Sequence, residues 1–203
     1  MSAFDNSDAS LTPLKIVIAG GFGVGKTTMV GAVSEIKPLT TEETLTSASI
    51  GTDNLHGVER KATTTVSMDF GRITFPQQQL VLLLFGTPGQ PRFWFMWEDL
   101  ALGAVGAVVL VDTRRLLDSF AAIEYFELRK VPFVVAVNEF DGSFRYDPNE
   151  VRDALELKPD VPVLLCDART SASARRVLIA LVEHAQRMSL AQRSPAAYDA
   201  PAR

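Results

Sequence analysis

Short runs of consecutive apolar residues alternate along the chain with segments in which apolar residues recur at helical spacing. Four runs predict short strands, at 14–19, 105–111, 133–137 and 161–165, and the continuous Val-rich runs at 105–111 and 133–137 are typical of strands buried on both faces. Amphipathic helical patterns lie at 26–36, 116–128 and 171–188. This alternation predicts an α/β protein in which helices cover both faces of a mostly parallel sheet.

One part of the pattern predicts an antiparallel pair. From Val66 to Phe70 apolar and polar residues alternate, as in a strand with one face toward water, and Asp69 falls on the polar side. Pro76 and three glutamines form a turn signal, so residues 65–75 and 79–85 are predicted to be a hairpin. The whole pattern predicts a three-layer fold with a six-stranded sheet and about five helices.

Polar segments mark the loops and the ends of the chain. The Thr-rich segment 37–62 is predicted to be a long mobile loop, and residues 1–11 and 192–203 are predicted to be disordered tails. Residues 12–191 remain as a single domain, which suits a chain of 203 residues.

Composition narrows the classes of function. A net charge of −4 argues against a generally basic nucleic-acid-binding protein and against a polybasic membrane contact. The single cysteine, Cys166, cannot form an internal disulfide, and the first ten residues have no features of a secretion signal. The longest apolar stretch, 100–111, is too short to cross a bilayer. We therefore expect a cytoplasmic protein without direct membrane insertion.

A glycine-rich sequence leads from the first predicted strand into the first predicted helix. From Gly20 to Thr27 it has the pattern G-x-x-x-x-G-K-T of a phosphate-binding loop. Its backbone N–H groups turn toward an anion, Lys26 reaches the β- and γ-phosphates, and the Thr27 hydroxyl binds Mg²⁺. The predicted nucleotide-binding residues are Gly20, Phe22, Gly23, Val24, Gly25, Lys26, Thr27 and Thr28. By itself the loop leaves open a GTPase, an ATPase or a small-molecule kinase.

Three later segments, each after a predicted strand, narrow this choice. They read Phe-Gly-Thr-Pro-Gly-Gln at 85–90, Asn-Glu-Phe-Asp at 138–141 and Asp-Ala-Arg at 167–169. With the phosphate loop they resemble the D-T-A-G-Q, N-K-x-D and S-A-K segments of the Ras-like small GTPases. The resemblance is stronger to the prokaryotic branch of this family. That branch comprises the MglA-type polarity GTPases and the small GTPases of actinobacterial conservon operons. The segments T-T-T-V-x-M-D-F-G and F-G-T-P-G-Q-x-R-F carry that finer match.

The resemblance implies a P-loop NTPase G domain that binds GTP or GDP with Mg²⁺. Asp141 would accept hydrogen bonds from guanine N1–H and the exocyclic amine, a donor pair that adenine lacks. Asn138 would brace the loop and base N7, and the Ala168 N–H would meet guanine O6. Thr65, with Thr64 as the next match, would close on Mg²⁺ and the γ-phosphate.

The remaining implied roles concern the terminal phosphate. The Gly89 N–H would contact it, and Gln90 would orient the attacking water. The implied ligands outside the first loop are Thr65, Gly89, Asn138, Asp141, Asp167, Ala168 and Arg169, with Thr27 and Thr65 as metal ligands.

Three residues depart from the family pattern. Gly86 stands where an Asp usually holds Mg²⁺ through water, so Asp69 or Asp112 is a candidate replacement, although Asp112 also suits a helix cap. Glu139 replaces a Lys that packs on the base. Phe22 stands where many relatives have Gly, and its side chain would crowd the γ-phosphate. Together these changes predict slow hydrolysis.

An arginine could complete the site from this chain or from a partner. Arg60, Arg72 and Arg92 flank the two segments that would respond to nucleotide, and each also suits a solvated surface charge. Arg92 is the best candidate because it follows Gln90 closely. The predicted catalytic residues are therefore Gln90, Lys26 and Arg92.

Five large apolar residues at 93–97 follow that segment directly. One helix stripe cannot bury all of them, so Trp94 or Trp97 is a candidate contact to a partner in one nucleotide state. The resemblance implies roadblock-type regulators as that partner and a membrane sensor kinase in the same system. Membrane association would then come through partners.

The sequence thus predicts a GTPase that acts as a nucleotide-controlled switch in bacterial signalling. The alternative is a GTP-binding interaction module with negligible hydrolysis. A small-molecule phosphotransferase is disfavoured, because no insertion offers an acceptor pocket and the 138–141 segment specifies guanine.

Overall fold

A computed structural model describes residues 11–45, 64–89 and 95–193. Strands and helices alternate, as the apolar pattern predicts. In chain order they are β1 (Thr12–Gly20), α1 (Lys26–Val33), β2 (Leu39–Leu45), β3 (Thr64–Phe75), β4 (Leu80–Gly86), α2 (Phe95–Ala101), β5 (Ala104–Val111), α3 (Phe120–Leu128), β6 (Phe133–Asn138), α4 (Pro148–Ala154), β7 (Val163–Cys166) and α5 (Ser171–Arg193).

The strands form one sheet in the order β2-β3-β4-β1-β5-β6-β7. The strands from β4 to β7 pair in parallel, whereas β3 is antiparallel to both of its neighbours. The β3–β4 pair is the predicted hairpin, and a short 3₁₀ turn at Pro76–Gln78 connects its strands. These pairings confirm the predicted α/β class with its mostly parallel sheet.

Two apolar cores confirm the three-layer arrangement. Side chains of α1 and α5 cover one face of the sheet, where Val30 and Leu181 are fully buried. Helices α2, α3 and α4 cover the other face, where Phe126 packs against Trp97 and Phe133. The parallel strands are continuously apolar because both of their faces are buried.

The loop prediction for 37–62 is wrong in part. Residues 39–45 form β2, which pairs with β3 at the sheet edge and gives the described sheet seven strands where six were predicted. Its sequence, Leu-Thr-Thr-Glu-Glu-Thr-Leu, has no apolar alternation, and backbone pairing holds it in place. The rest of the predicted loop, 46–63, lies outside the described residues, as do 1–10 and 194–203 of the predicted tails.

The face assigned to water in the hairpin is also corrected. Asp69 is only 3% exposed. It shares its face of β3 with Gly71, where a Cβ would lie 2.7 Å from the Val30 side chain of α1. Helix α1 therefore covers the face of β3 that carries the polar residue.

The interpretation of the apolar run at 93–97 changes as well. Trp97 is buried, stacks on Phe126, and donates its indole N–H to the Pro88 carbonyl at 3.3 Å. It belongs to the core and is not a partner contact, whereas Phe95 is largely exposed. Trp94 lies outside the described residues. In the part of the chain that is described, no helix is both long and apolar enough to span a membrane.

Candidate functional site

The phosphate loop connects the C-terminal end of central strand β1 to the N-terminus of α1. Gly25 takes φ 104°, and a Cβ there would lie 2.6 Å from the Asn138 amide nitrogen, so only glycine suits the position. No described side chain caps α1, and its first turn has no acidic residue. The loop and the helix dipole are therefore arranged for an anion.

Lys26 lies beneath this loop. It is 9% exposed, and its ammonium donates to the Gly20 and Gly21 carbonyls at 2.9 and 2.7 Å. Burial lowers its pKa from 10.5 to about 8, with nearby Asp69 opposing and Arg115 adding to the shift. A buried cation with a lowered pKa favours binding of a negatively charged ligand.

The Asp69 carboxylate lies next to the position that a side chain on Gly86 would occupy. The two residues are register partners in β3 and β4, and a Cβ on Gly86 would lie 3.0 Å from Asp69 Oδ2. The Thr27 hydroxyl donates to the same Oδ2 at 2.6 Å. Asp112, the other candidate, caps the 3₁₀ segment Thr113–Ser119 and accepts from the Arg114 guanidinium at 2.8 and 2.7 Å. Of the two candidate carboxylates, only Asp69 contacts Thr27.

The residues present fit a magnesium ion. One carboxylate and one hydroxyl oxygen, with phosphate oxygens, match the hard oxygen ligands that Mg²⁺ prefers. Thr87 lines the same pocket, and its buried hydroxyl has no hydrogen-bond partner among the described residues. It is therefore available to a metal-bound water.

Gly89 closes this side of the pocket. A Cβ on Gly89 would lie 2.7 Å from Lys26 Nζ and 2.9 Å from the Phe22 backbone nitrogen, so glycine permits this approach. Phe22 itself points into solvent, with 65% of its surface exposed. The phosphate pocket is lined by Phe22, Gly23, Gly25, Lys26, Thr27, Thr28, Asp69, Thr87 and Gly89.

Asn138 joins the phosphate loop to the third motif segment. Its amide donates to the Val24 carbonyl at 3.0 Å, and its side-chain oxygen accepts from the Ala168 N–H at 3.0 Å. The sequence predicted that this N–H would meet guanine O6. In the structure it bonds to Asn138 instead, because Asn138 and Cys166 are register partners at the ends of β6 and β7.

Arg169 binds two of the predicted base-site carboxylates. It donates to both Asp141 oxygens at 2.7 and 3.2 Å and to both Asp167 oxygens at 2.9 Å. These bonds lower the pKa of Asp141 and of Asp167 and raise that of Arg169. Asp141 is therefore an ionised acceptor at neutral pH, and 86% of its side chain is exposed.

A second pocket contains this cluster and adjoins the first. Both pockets are lined by Gly23, Gly25 and Thr28. The second also contains Arg114, which stacks on Phe140 at 4.1 Å from the ring centre, and Glu139, which pairs with Arg145 at 3.3 Å. The two pockets together form a continuous cleft at the C-terminal ends of the parallel strands, where α/β sheets bind ligands.

Some predicted residues cannot be positioned. Gln90 and Arg92 lie outside the described residues. Thr65 lies in β3, where its backbone pairs with Thr44 of β2, and the Thr65 side chain is not described. Sequence reasoning also missed Arg114 and Arg115, which lie outside every motif, and assigned no role to Thr87 although it lies within the 85–90 segment.

Binding of a nucleoside triphosphate should take up protons above about pH 8. Phosphate oxygens near Lys26 would raise its pKa above the value of about 8 that it has in the protein alone. The bound form then holds more protons in this range, so affinity should fall as pH rises. Calorimetry at pH 8.5 in two buffers of different ionisation enthalpy measures the uptake, and a nucleoside monophosphate is the control. Equal uptake with both ligands would contradict this role.

Comparison with known proteins places the chain in a family. The profile of a family described as conserved hypothetical ATP binding protein, ATP_bind_1, matches residues 18–188. The chain belongs to this family. An uncharacterized protein of Methanocaldococcus jannaschii is 31% identical over 130 residues, which cover 63% of this chain and 71% of that protein.

Solved structures share the fold of this family member. The cytosolic domain of the T. maritima FeoB iron transporter aligns with a TM-score of 0.60 and 19% identity over 86% of this chain and 65% of that domain. The FeoB G-domain from Methanococcus jannaschii gives 0.58 and 16% over 87% of this chain and 99% of that domain. The chain is therefore a nucleotide-binding P-loop protein with the G-domain fold.

Proposed function

We propose that this protein binds GTP and GDP with Mg²⁺ and hydrolyses GTP slowly as a nucleotide-controlled switch. The observation that carries the proposal is the bridge made by Asn138, which ties the phosphate loop to the Ala168 segment beside Asp141. A nucleotide in the continuous cleft would have its phosphates at Lys26 and its base near Asp141.

Asp141 favours guanine over adenine. An ionised carboxylate only accepts hydrogen bonds, and guanine offers two adjacent donors, N1–H and the exocyclic amine. Adenine presents an acceptor at N1 and would leave the carboxylate unpaired. The family description mentions ATP, so the deciding measurement is titration with GTP, GDP and ATP, with and without Mg²⁺. Equal affinity for ATP would contradict the guanine assignment.

Asp141→Asn should shift the preference from guanine toward xanthine. The amide offers a donor where the carboxylate only accepts, and xanthine carries a carbonyl where guanine carries its amine. We expect GTP affinity to fall roughly 100-fold and xanthosine triphosphate affinity to rise. Competition binding measures both, with the exposed Asp153→Asn as control. Unchanged GTP affinity in the Asp141 variant would contradict base recognition by this residue.

Magnesium would be held by Thr27 and, through water, by Asp69. Bound there, it would neutralise charge on the β- and γ-phosphate oxygens during hydrolysis. Thr65, the other metal ligand that the resemblance implies, would join them. The Thr27–Asp69 hydrogen bond and the unpartnered Thr87 hydroxyl support this assignment.

Within the Ras-like small GTPases, we assign this protein to the MglA-like and conservon branch. We propose a cytoplasmic switch in bacterial signalling that is stimulated by a roadblock-type regulator and linked to a sensor kinase, with membrane association through partners. The absence of a side chain at Gly86 and its replacement by Asp69 support this proposal. Phosphate release, measured with and without a candidate regulator, tests it.

The exposed Phe22 side chain favours a second candidate function, a GTP-binding module with negligible hydrolysis. Phe22 lines the phosphate pocket and its backbone lies beside Gly89, so its side chain would crowd the terminal phosphate if it turned from solvent into the pocket. A single-turnover assay on Phe22→Gly separates the two functions. Acceleration from a measurable wild-type rate supports a slow enzyme, whereas no product from either protein supports the module.

A further inference from the structure

Arg115 reaches the phosphate loop from a segment outside every sequence motif. It belongs to the 3₁₀ segment after β5, which it interrupts with non-helical backbone angles (φ −142°, ψ 53°). Its Nη2 donates to the Phe22 carbonyl at 2.6 Å. The segment is packed against the loop, because a Cβ on Gly21 would lie 2.8 Å from the Asp118 Cβ.

The Arg115 guanidinium is only loosely paired with acidic groups. Asp112 and Asp118 oxygens lie 3.9 and 3.8 Å from its nitrogens, whereas Asp112 makes a close bidentate pair with Arg114. The Arg115 side chain is 47% exposed. Its shortest polar contact is therefore the one to the phosphate loop, and much of its charge remains available to a ligand.

Two cations thus converge on one loop. A Cβ on Gly23, which lines both pockets, would lie 3.6 Å from Arg115 Nη2. Lys26 donates to the Gly20 and Gly21 carbonyls of the same loop. A polyphosphate bound at this loop would therefore lie close to both positive charges.

We propose that Arg115 is a cis-acting arginine that contacts the terminal phosphate of bound GTP during hydrolysis. The proposal rests on the proposed GTPase function. The water oxygen bonds to the γ-phosphorus, the bond to the β–γ bridging oxygen breaks, and GDP, inorganic phosphate and a proton result. Arg115 would neutralise charge that develops on the γ-phosphate and bridging oxygens, as arginine fingers do.

The structure favours Arg115 over the arginine candidates chosen from the sequence. Arg72 lies in β3 and pairs with Glu35 at 3.2 Å. Arg60 and Arg92 lie outside the described residues. Among the described arginines, Arg115 donates directly to the phosphate loop.

Single-turnover hydrolysis of GTP by Arg115→Ala and Arg115→Lys tests the proposal, with Kd values for GTP and GDP measured in parallel. Arg129→Ala is the matched control, since Arg129 packs on Tyr125 and pairs with Glu98 away from the loop. We expect the Ala variant to lose roughly tenfold or more in rate with little change in Kd, and the Lys variant to recover part of it. Formation of the GDP–aluminium fluoride complex should weaken in parallel.

Two outcomes overturn the assignment to Arg115. Hydrolysis at the wild-type rate by Arg115→Ala would exclude the role, and an equal loss of GTP and GDP affinity with an unchanged rate would show a structural role for the loop instead. Absence of guanine-nucleotide binding by the wild-type protein would contradict the proposed function itself.

Discussion

Lys26→Met should abolish high-affinity binding of nucleoside triphosphates while leaving the fold intact. The ammonium is the buried cation of the phosphate pocket, and losing two charge-assisted hydrogen bonds to phosphate costs about 3 kcal/mol, roughly 100-fold in Kd. Binding titration of GTP measures the loss, with Lys158→Met as a control because that lysine is exposed and pairs with Glu127. Near-wild-type affinity in the Lys26 variant would contradict the assignment of the loop.

Lys26→Met should not lower the stability of the protein without bound nucleotide. Burial lowers the pKa of Lys26 to about 8 in the folded protein, below its ordinary value of 10.5, so folding disfavours its charged form. At pH 7 the lysine is protonated in both states, and folding carries a penalty of roughly 3 kcal/mol. Methionine removes this penalty, so Tm should stay near the wild-type value or rise. The wild-type protein should gain stability between about pH 8 and 10.5, because in this range folded Lys26 has released its proton while the unfolded chain still holds it.

Asp69→Ala should remove most of the Mg²⁺ dependence of nucleotide affinity. Asp69 is the described carboxylate in contact with Thr27, so the variant keeps the phosphate loop but loses the carboxylate of the proposed metal site. We expect the ratio of Kd values without and with Mg²⁺ to fall by roughly tenfold or more. Titration in EDTA and in excess Mg²⁺ measures this ratio, and Asp153→Ala is the surface control.

Moving the carboxylate from β3 to the neighbouring strand β4 should restore the proposed metal site. Gly86→Asp alone should be harmful, because its Cβ would lie 3.0 Å from Asp69 Oδ2 and two carboxylates would crowd one place. In the double variant Asp69→Ala/Gly86→Asp that crowding is gone, and part of the Mg²⁺ dependence should return. Two results would contradict the idea that a carboxylate at position 86 can replace that of Asp69. One is an unchanged ratio of Kd values without and with Mg²⁺ in Asp69→Ala, and the other is simple additivity of the two substitutions.

The parallel core of the fold could be predicted because its strands are buried on both faces. A short continuous apolar run, such as the one in β5, is typical of a strand buried on both faces and fits few other structures in a chain of this composition. Strand β2 could not be predicted, since its polar residues are held by backbone bonds to a strand that starts far later in the chain. Sequence periodicity records side-chain burial and carries no signal for such pairing.

Parts of the candidate site could be inferred from the sequence where backbone geometry dictates the type of residue. Glycines and the Lys-Thr pair of the phosphate loop are such a case, and so is Asn138 at the end of β6. Asp69 could be raised as a candidate but not chosen over Asp112, because only the β3–β4 register sets it beside Gly86. Arg115 gave no signal, since its contact to Phe22 joins residues far apart in sequence.

The Asn138 bridge has a consequence for the order in which the protein is made. Its hydrogen bond to Val24 spans 114 residues of sequence, so the phosphate loop leaves the ribosome long before the side chain that braces it. Closing such a distant contact is entropically costly and comes late in folding. We therefore expect a nucleotide to stabilise the finished domain by mass action and to give partly synthesised chains little protection from proteolysis.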